Sequence, residues 1–186
     1  MWGLYVARTT QGETFSNIEF FTVAGGKITQ VQVYFGSDDP VTAQESEIRA
    51  LMEEISAATR ARDVPALLCH YAPDVIAFDV INPLRYQGTE AVGRRAAEWF
   101  ASFEGPIHYQ LGDLCIVPAS DVAFCHSLNR VSAVKTDGQP LEMGWRATVC
   151  WQKREGRWLI THLHSSVPFD MHTGQASLGL RPSSKE

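Results

Sequence analysis

The sequence has no C-x-x-C pair: Cys69, Cys115, Cys125 and Cys150 are scattered, each among apolar neighbours. Cysteine-based zinc sites need closely spaced pairs, so these four are expected as reduced core residues, with no metal among them. No stretch reaches the roughly 18 apolar residues that cross a bilayer, and the opening residues lack the basic-then-apolar order of a secretory signal, so a cytoplasmic protein without a membrane partner is expected. No basic run lines a helix or strand, and 16 Lys and Arg stand against 21 Asp and Glu, a formal charge of −5. That balance disfavours phosphate backbones, so nucleic acid is not an expected partner. Gly25-Gly26, Gly36 and Gly138 are turn glycines outside any strand–loop–helix context, and nothing matches a nucleophile elbow or a Cys–His–Asn signature. No nucleotide cofactor and no covalent hydrolysis are implied.

What is present is a globular composition, 45% hydrophobic and 20% charged in 186 residues, which suits one full domain and part of another. Residues 3–8, 16–23 and 27–35 are rich in β-branched and aromatic types, with Gly25-Gly26 as a hairpin signal between the last two. The run Gly36-Ser-Asp-Asp-Pro40 then punctuates the chain, and Thr42 with Glu45 reads as a capping box. From Ala43 to Arg62, Ile48, Leu51, Met52, Ile55 and Ala58 recur at helical spacing opposite mostly charged residues. A short helix over 64–71, a strand over 75–80 and a helix from Gly88 to about Phe100 follow. Four strands come last, over 107–117, 122–134, 141–153 and 157–167, separated by turns at Ser120-Asp121, Asp137-Gly138 and Glu155-Gly156. Helices first and a long antiparallel meander afterwards make an α+β pattern. The stretch Thr10-Gln-Gly12 to Lys27-Ile28 echoes Thr136-Asp-Gly138 to Arg157-Trp158, so residues 1–38 look like the closing strands of a partial repeat. Three strands alone bury little, so they must dock, pair between chains, or stand as the remnant of a tandem. Residues 173–186 are expected as a flexible tail.

Several residues of this chain are familiar together: Tyr71-Ala-Pro-Asp-Val75, Phe78-Asp79, Asn82-Pro-Leu-Arg85, Gly88, Trp99, Val122-Ala-Phe124 with His126, Asn129-Arg130, and Gly156-Arg157-Trp158 through His162-Leu-His164 to Asp170. Over about residues 42–172 the chain resembles the SnoaL-like, ketosteroid-isomerase-homologue families of the nuclear-transport-factor-2-like fold. Residues 12–36 resemble the closing strands of another such domain. The resemblance implies a cone-shaped roll, about three helices on a curved, mostly antiparallel sheet, enclosing an apolar ligand pocket. It implies no cofactor, and it does not separate isomerases, dehydratases and cyclases from association domains. Ketosteroid isomerase pairs an Asp base with a Tyr and a protonated Asp; no such Tyr and second Asp stand out, so steroid isomerisation is not implied.

The candidate chemistry centres on Asp79, flanked by Phe78, Val80 and Ile81 with no cation adjacent in sequence. A carboxylate among apolar groups would have its pKa raised and could abstract a proton; the alternative is that it binds backbone amides of the 81–86 loop. Strand alternation puts Trp158, Ile160, His162, His164 and Ser166 on one face, and Phe124, His126, Leu128 and Arg130 on one face of another strand. If His126 and His162 or His164 share the concave side with Asp79, the cavity holds acid–base equipment, whereas a structural hydrogen-bond network would satisfy the same histidines. A facial metal site of two histidines with Asp79 is a weaker possibility, and no metal is expected. Phe78, Trp99, Asn129, Trp145 and Arg146 are the candidate substrate contacts, Arg146 as a carboxylate clamp or as an ordinary strand cation. The expected function is a cofactor-independent isomerase, dehydratase or cyclase acting on a small apolar carbonyl compound. The rival is a non-catalytic binding or dimerisation module, and a homodimer is expected in either case.

Overall fold

The structure is a computed structural model that describes residues 2–8, 14–24, 27–37 and 40–181. The chain divides into two compact units, Met1–Ser46 and Glu47–Glu186. In the first, β1 (Trp2–Arg8), β2 (Thr14–Ala24) and β3 (Lys27–Ser37) form an antiparallel sheet in the order β1-β2-β3. The expected Gly25-Gly26 turn lies outside the described residues. The division falls inside helix α1 (Pro40–Ala61), not at the punctuated stretch before it. This helix starts at Pro40, so Thr42 lies within it and is not its cap. Proline suits a first turn because its fixed φ is helical and its missing N–H would have no partner there.

In the second unit, α1 turns Ile48, Met52, Ile55 and Ala58 inward, the face its apolar spacing specifies. Two further helices follow, α2 (Val64–Leu68) and α3 (Gly88–Ala101). Asp63 caps α2, its carboxylate accepting from Ala66 N at 2.9 Å. A Cβ at Gly93 of α3 would lie 2.7 Å from Leu68 Cδ1 of α2, so a side chain there would have to displace the end of the Leu68 side chain. The six strands are β4 (Tyr71–Phe78), β5 (Tyr86–Gln87), β6 (Phe103–Pro118), β7 (Val122–Lys135), β8 (Pro140–Arg154) and β9 (Arg157–Ser166). Their order is β5-β4-β9-β8-β7-β6, antiparallel except between β4 and β9. The expected α+β class, with three helices on a curved, mostly antiparallel sheet, is what is found.

One face of the sheet is the core wall: Cys125, Val131, Ala147, Val149, Trp151 and Ile160 are buried there. Trp151 Nε1 is the only buried side-chain nitrogen or oxygen without a hydrogen-bond partner among the described residues. It is turned to the weakly accepting Cys125 sulfur, whose thiol burial pushes up. All four cysteines are free; Cys125 is buried as expected and Cys150 partly so, but Cys69 and Cys115 are exposed. No helix of the described residues is long and apolar enough to cross a membrane.

Residues 173–181, expected as part of a flexible tail, instead run back against β8. Ser177 N donates to Pro168 O and Gly144 N to Leu178 O, each at 2.8 Å. A Cβ on Gly144 would lie 2.7 Å from Leu180 O, so this strap rests on the bare glycine backbone.

Candidate functional site

The sheet's buried face and the helices enclose a funnel. Its inner cavity, about 180 Å³, is lined by residues including Tyr71, Phe78, Asp79, Arg95, Trp99, Tyr109, Asn129, Trp145 and Ser165. An outer vestibule of about 700 Å³ is lined by Val80, Ile81, Glu98, Lys135, Leu141, Met143 and the strap residues Ala176 and Leu178, among others. Asp79, Arg95, Trp99, Trp145 and Ser165 line both spaces and so form the neck between them.

Asp79 follows the end of β4. Its Oδ1 accepts from Val80 N at 2.6 Å and its Oδ2 from Arg95 Nε at 2.7 Å. The two side chains are 23% and 17% exposed, a partly dry ion pair at the neck. The expectation of a carboxylate without a cation is therefore corrected: the sequence around Asp79 carries none, but α3 brings one across. The alternative of a carboxylate fully spent on loop amides does not hold either, since one amide meets one oxygen.

Two phenols complete the polar set. Tyr71 is buried at the start of β4, and burial, with the Asp79 charge second, pushes its pKa up to about 12. Tyr109 of β6 is shifted in the same direction, by burial first and then by Tyr71. Among the described residues neither hydroxyl has a hydrogen-bond partner, so both are neutral donors available to the cavity. Asn129 is buried, and its Oδ1 accepts from Ser127 at 2.9 Å, leaving the amide N–H groups for the cavity.

The histidines go elsewhere. β9 pairs Cys150 with His162 but Trp151 with Ile160, so Thr161 is an extra residue, a β-bulge that shifts the alternation. Beyond it Leu163 and Ser165 face the cavity in line with Ile160, while His162 and His164 turn to the outer face. His162 Nδ1 donates to Ile76 O at 2.9 Å. The Phe78 ring stands edge-on to both imidazoles, at 4.8 and 5.6 Å. His164 shares with Asp79 only an open outer groove along residues 78–85. His126 is exposed on the outer face of β7, opposite Thr148. Neither His126, His162 nor His164 lines the funnel, so the expected carboxylate–imidazole pair does not assemble. No group of three His, Cys, Asp or Glu among the described residues is placed to hold a metal ion.

Of the expected substrate contacts, Trp99, Asn129 and Trp145 line the inner cavity; Phe78 borders it, but its ring packs against His162 and His164 on the outer face. Arg146 does not: it is exposed on the outer face of β8, one residue out of phase with Trp145 and Ala147. Arg130 pairs with Glu142 at 2.7 Å. The residues missed were Tyr71, Tyr109 and Arg95. Tyr109 had a signal, since Ile107, Tyr109 and Leu111 alternate inward, and so had Arg95, a lone cation on the apolar stripe of Val92, Ala96 and Trp99.

This geometry has relatives. A family model described as a SnoaL-like domain matches residues 48–170. The chain belongs to the SnoaL-like family. A solved structure, an NTF2-like protein of unknown function from Pseudomonas putida KT2440, is 38% identical over 76% of this chain and 98% of its own, with a TM-score of 0.70. A putative dehydratase of the NTF2-like family from Streptomyces avermitilis is 16% identical over 67% of this chain and 96% of its own, with a TM-score of 0.59. A putative calcium/calmodulin dependent protein kinase II association domain from Xanthomonas campestris is 20% identical over 64% of this chain and 84% of its own, with a TM-score of 0.57. The last two likenesses show the fold alone. No protein of curated function is detectably similar.

Proposed function

We propose that this SnoaL-like domain is a cofactor-independent acid–base enzyme acting on a small, largely apolar carbonyl compound, an isomerase, dehydratase or cyclase, with Asp79 as the base. One observation carries the reading: Asp79 sits at the neck of an apolar funnel whose inner end presents two unpartnered phenols. In this reading the substrate carbonyl enters the inner cavity and accepts from Tyr71 and Tyr109. Asp79 takes a proton from the adjacent carbon, and the electron pair moves onto the carbonyl oxygen. Negative charge thus passes from Asp79 to an enolate while Arg95 stays beside both. Return of the proton to another carbon gives an isomer; loss of a β-hydroxyl as water, taking up the proton held by Asp79, gives an unsaturated product.

The test is deuterium incorporation from heavy water into a panel of enolisable apolar ketones, followed by proton NMR. Asp79→Asn is expected to lower the exchange rate about 10²- to 10⁴-fold, the usual range for a positioned base, and His126→Ala to leave it within a factor of two. Equal rates in wild type and Asp79→Asn would end the catalytic reading.

A second reading concerns assembly and is compatible with the first. The outer face exposes Val117, Val122 and Phe124, each between 44% and 53% accessible, an apolar patch on the adjacent strands β6 and β7. Two copies of the chain pairing through this face would cover it, and among fold relatives there are association domains. Sedimentation of wild type and Phe124→Glu measures this: the substitution is expected to convert dimer to monomer.

A further inference from the structure

Arg95 has more donors than its known partner uses. A guanidinium carries five N–H groups in a rigid plane, and Asp79 occupies Nε at 2.7 Å. Among the described residues neither terminal nitrogen meets an acceptor, and neither is sealed from open space, since the only buried unpartnered nitrogen is Trp151 Nε1. A cation that is 17% exposed, at the neck of an apolar funnel, has poor access to water in place of those bonds. The two terminal nitrogens instead present the parallel pair of donors that a carboxylate accepts bidentately.

The charged groups facing this point come from three places in the chain. Asp79 after β4 is already paired with Arg95; Glu98, one turn further along α3, is exposed on the vestibule wall; Lys135 at the end of β7 adds a second cation with no partner among the described residues. Two cations therefore meet two carboxylates and the charges cancel, so an added anion is drawn by the unused donors of Arg95 and by Lys135, against Asp79 and the solvent-screened Glu98. The remaining walls of the vestibule are apolar, with Ile81, Leu141, Met143, Val167 and Leu178 beyond the Trp99 and Trp145 indoles.

We infer that the ligand is an apolar carboxylic acid, most simply an oxo acid, whose carboxylate is gripped by the terminal nitrogens of Arg95 while its ring or chain fills the vestibule beyond Trp99 and Trp145. The inference rests on the acid–base reading for its carbonyl and on Arg95 alone for its carboxylate. It orders the ligand along the funnel: carbonyl innermost at Tyr71 and Tyr109, acidic carbon at Asp79, carboxylate at Arg95, apolar body outermost. Arg95 is then the residue that selects acids over neutral ketones, and Lys135 adds long-range attraction.

Calorimetry and tryptophan fluorescence on the full chain test it with matched pairs: naphthalene-2-acetate, indole-3-acetate, cyclohexylacetate and phenylpyruvate, each against its primary amide. The acids are expected to bind at least tenfold more tightly than the amides. Arg95→Gln is expected to remove that preference with amide affinity unchanged, and Arg95→Lys to keep part of it, thermal melts checking that both variants are folded. Should the Gln variant not fold, Lys135→Gln is expected to weaken acid binding with a shallower salt dependence. Equal affinity of acids and amides, or no binding by any acid of the panel, overturns the inference. Either result leaves the base at Asp79 to stand or fall on deuterium exchange into neutral ketones.

Discussion

The two faces of the six-stranded sheet are built from interleaved residues of the same strands, yet they differ in almost every physical respect. The inner face is buried, and its polar groups are an ion pair at the neck, two phenols, an amide and the Ser127 and Ser165 hydroxyls. The outer face carries His126, His162 and His164 with Thr148 and Arg146 among half-exposed apolar side chains. Polar residues on the first face lie where water is scarce and a charge has few alternatives, so their chemistry is tunable. On the second face solvent shares every interaction. A count of titratable groups would have favoured the outer face; burial favours the inner one.

Substitution on the two faces measures that contrast directly. Ile160→Ala, at a position 1% exposed, is expected to cost about 2–5 kcal/mol through the lost contacts and the cavity left behind, read as a shift of the urea midpoint. Phe124→Ala on the outer face, 46% exposed, is expected to cost under about 1 kcal/mol in dilute protein, and more as concentration rises if the sheets pair. Equal costs would mean that the two faces are less different than their burial says.

The next effect is alkaline. The Tyr71 phenol is pushed up to about 12 by burial, while in the unfolded chain it titrates near 10. The unfolded state therefore loses its proton first, and the Tyr71 contribution is complete below pH 10 and lost as pH rises toward 12. The loss reaches roughly 3 kcal/mol over those two units. Unfolding followed between pH 9 and 11.5 in wild type and Tyr71→Phe is expected to show a steeper decline in the wild type.

A smaller effect lies on the acid side. His70 is buried, and its pKa is lowered chiefly by that burial, against the attraction of Glu54 at 3.6 Å and with a further push from Arg157. The unfolded chain takes up this proton first as pH falls below about 6.5, so the His70 contribution is present above that value and declines below it. His70→Gln is expected to flatten the stability profile between pH 5 and 7, read from urea midpoints across that range.

Much of this molecule was legible as residue order. Apolar spacing in 43–62 located the face of α1, the turn residues located the four long strands to within a few positions, and the resemblance carried the family and the cone. Asp79, Trp99, Asn129 and Trp145 were picked out, and all line the inner cavity, with Phe78 at its border. The histidines were misplaced for one physical reason: a period of two assumes an unbroken pleat, and the single extra residue Thr161 reverses the phase of everything after it. Nothing in the string Leu159-Ile-Thr-His-Leu-His164 marks that bulge, since either phase puts apolar and polar residues in alternation.

The sequence by itself determined what is local or periodic: helix faces, strand spans, turn glycines, the family and the carboxylate at the end of a strand. Tertiary structure alone decided which cation meets Asp79, which phenols share its cavity, and that residues 173–181 return to β8 to wall the vestibule. The Arg95–Asp79 pair joins groups 16 residues apart, and the strap joins Leu178 to Gly144, each within hydrogen-bond distance. Such pairings follow from how helices and sheet pack, and no local pattern encodes them.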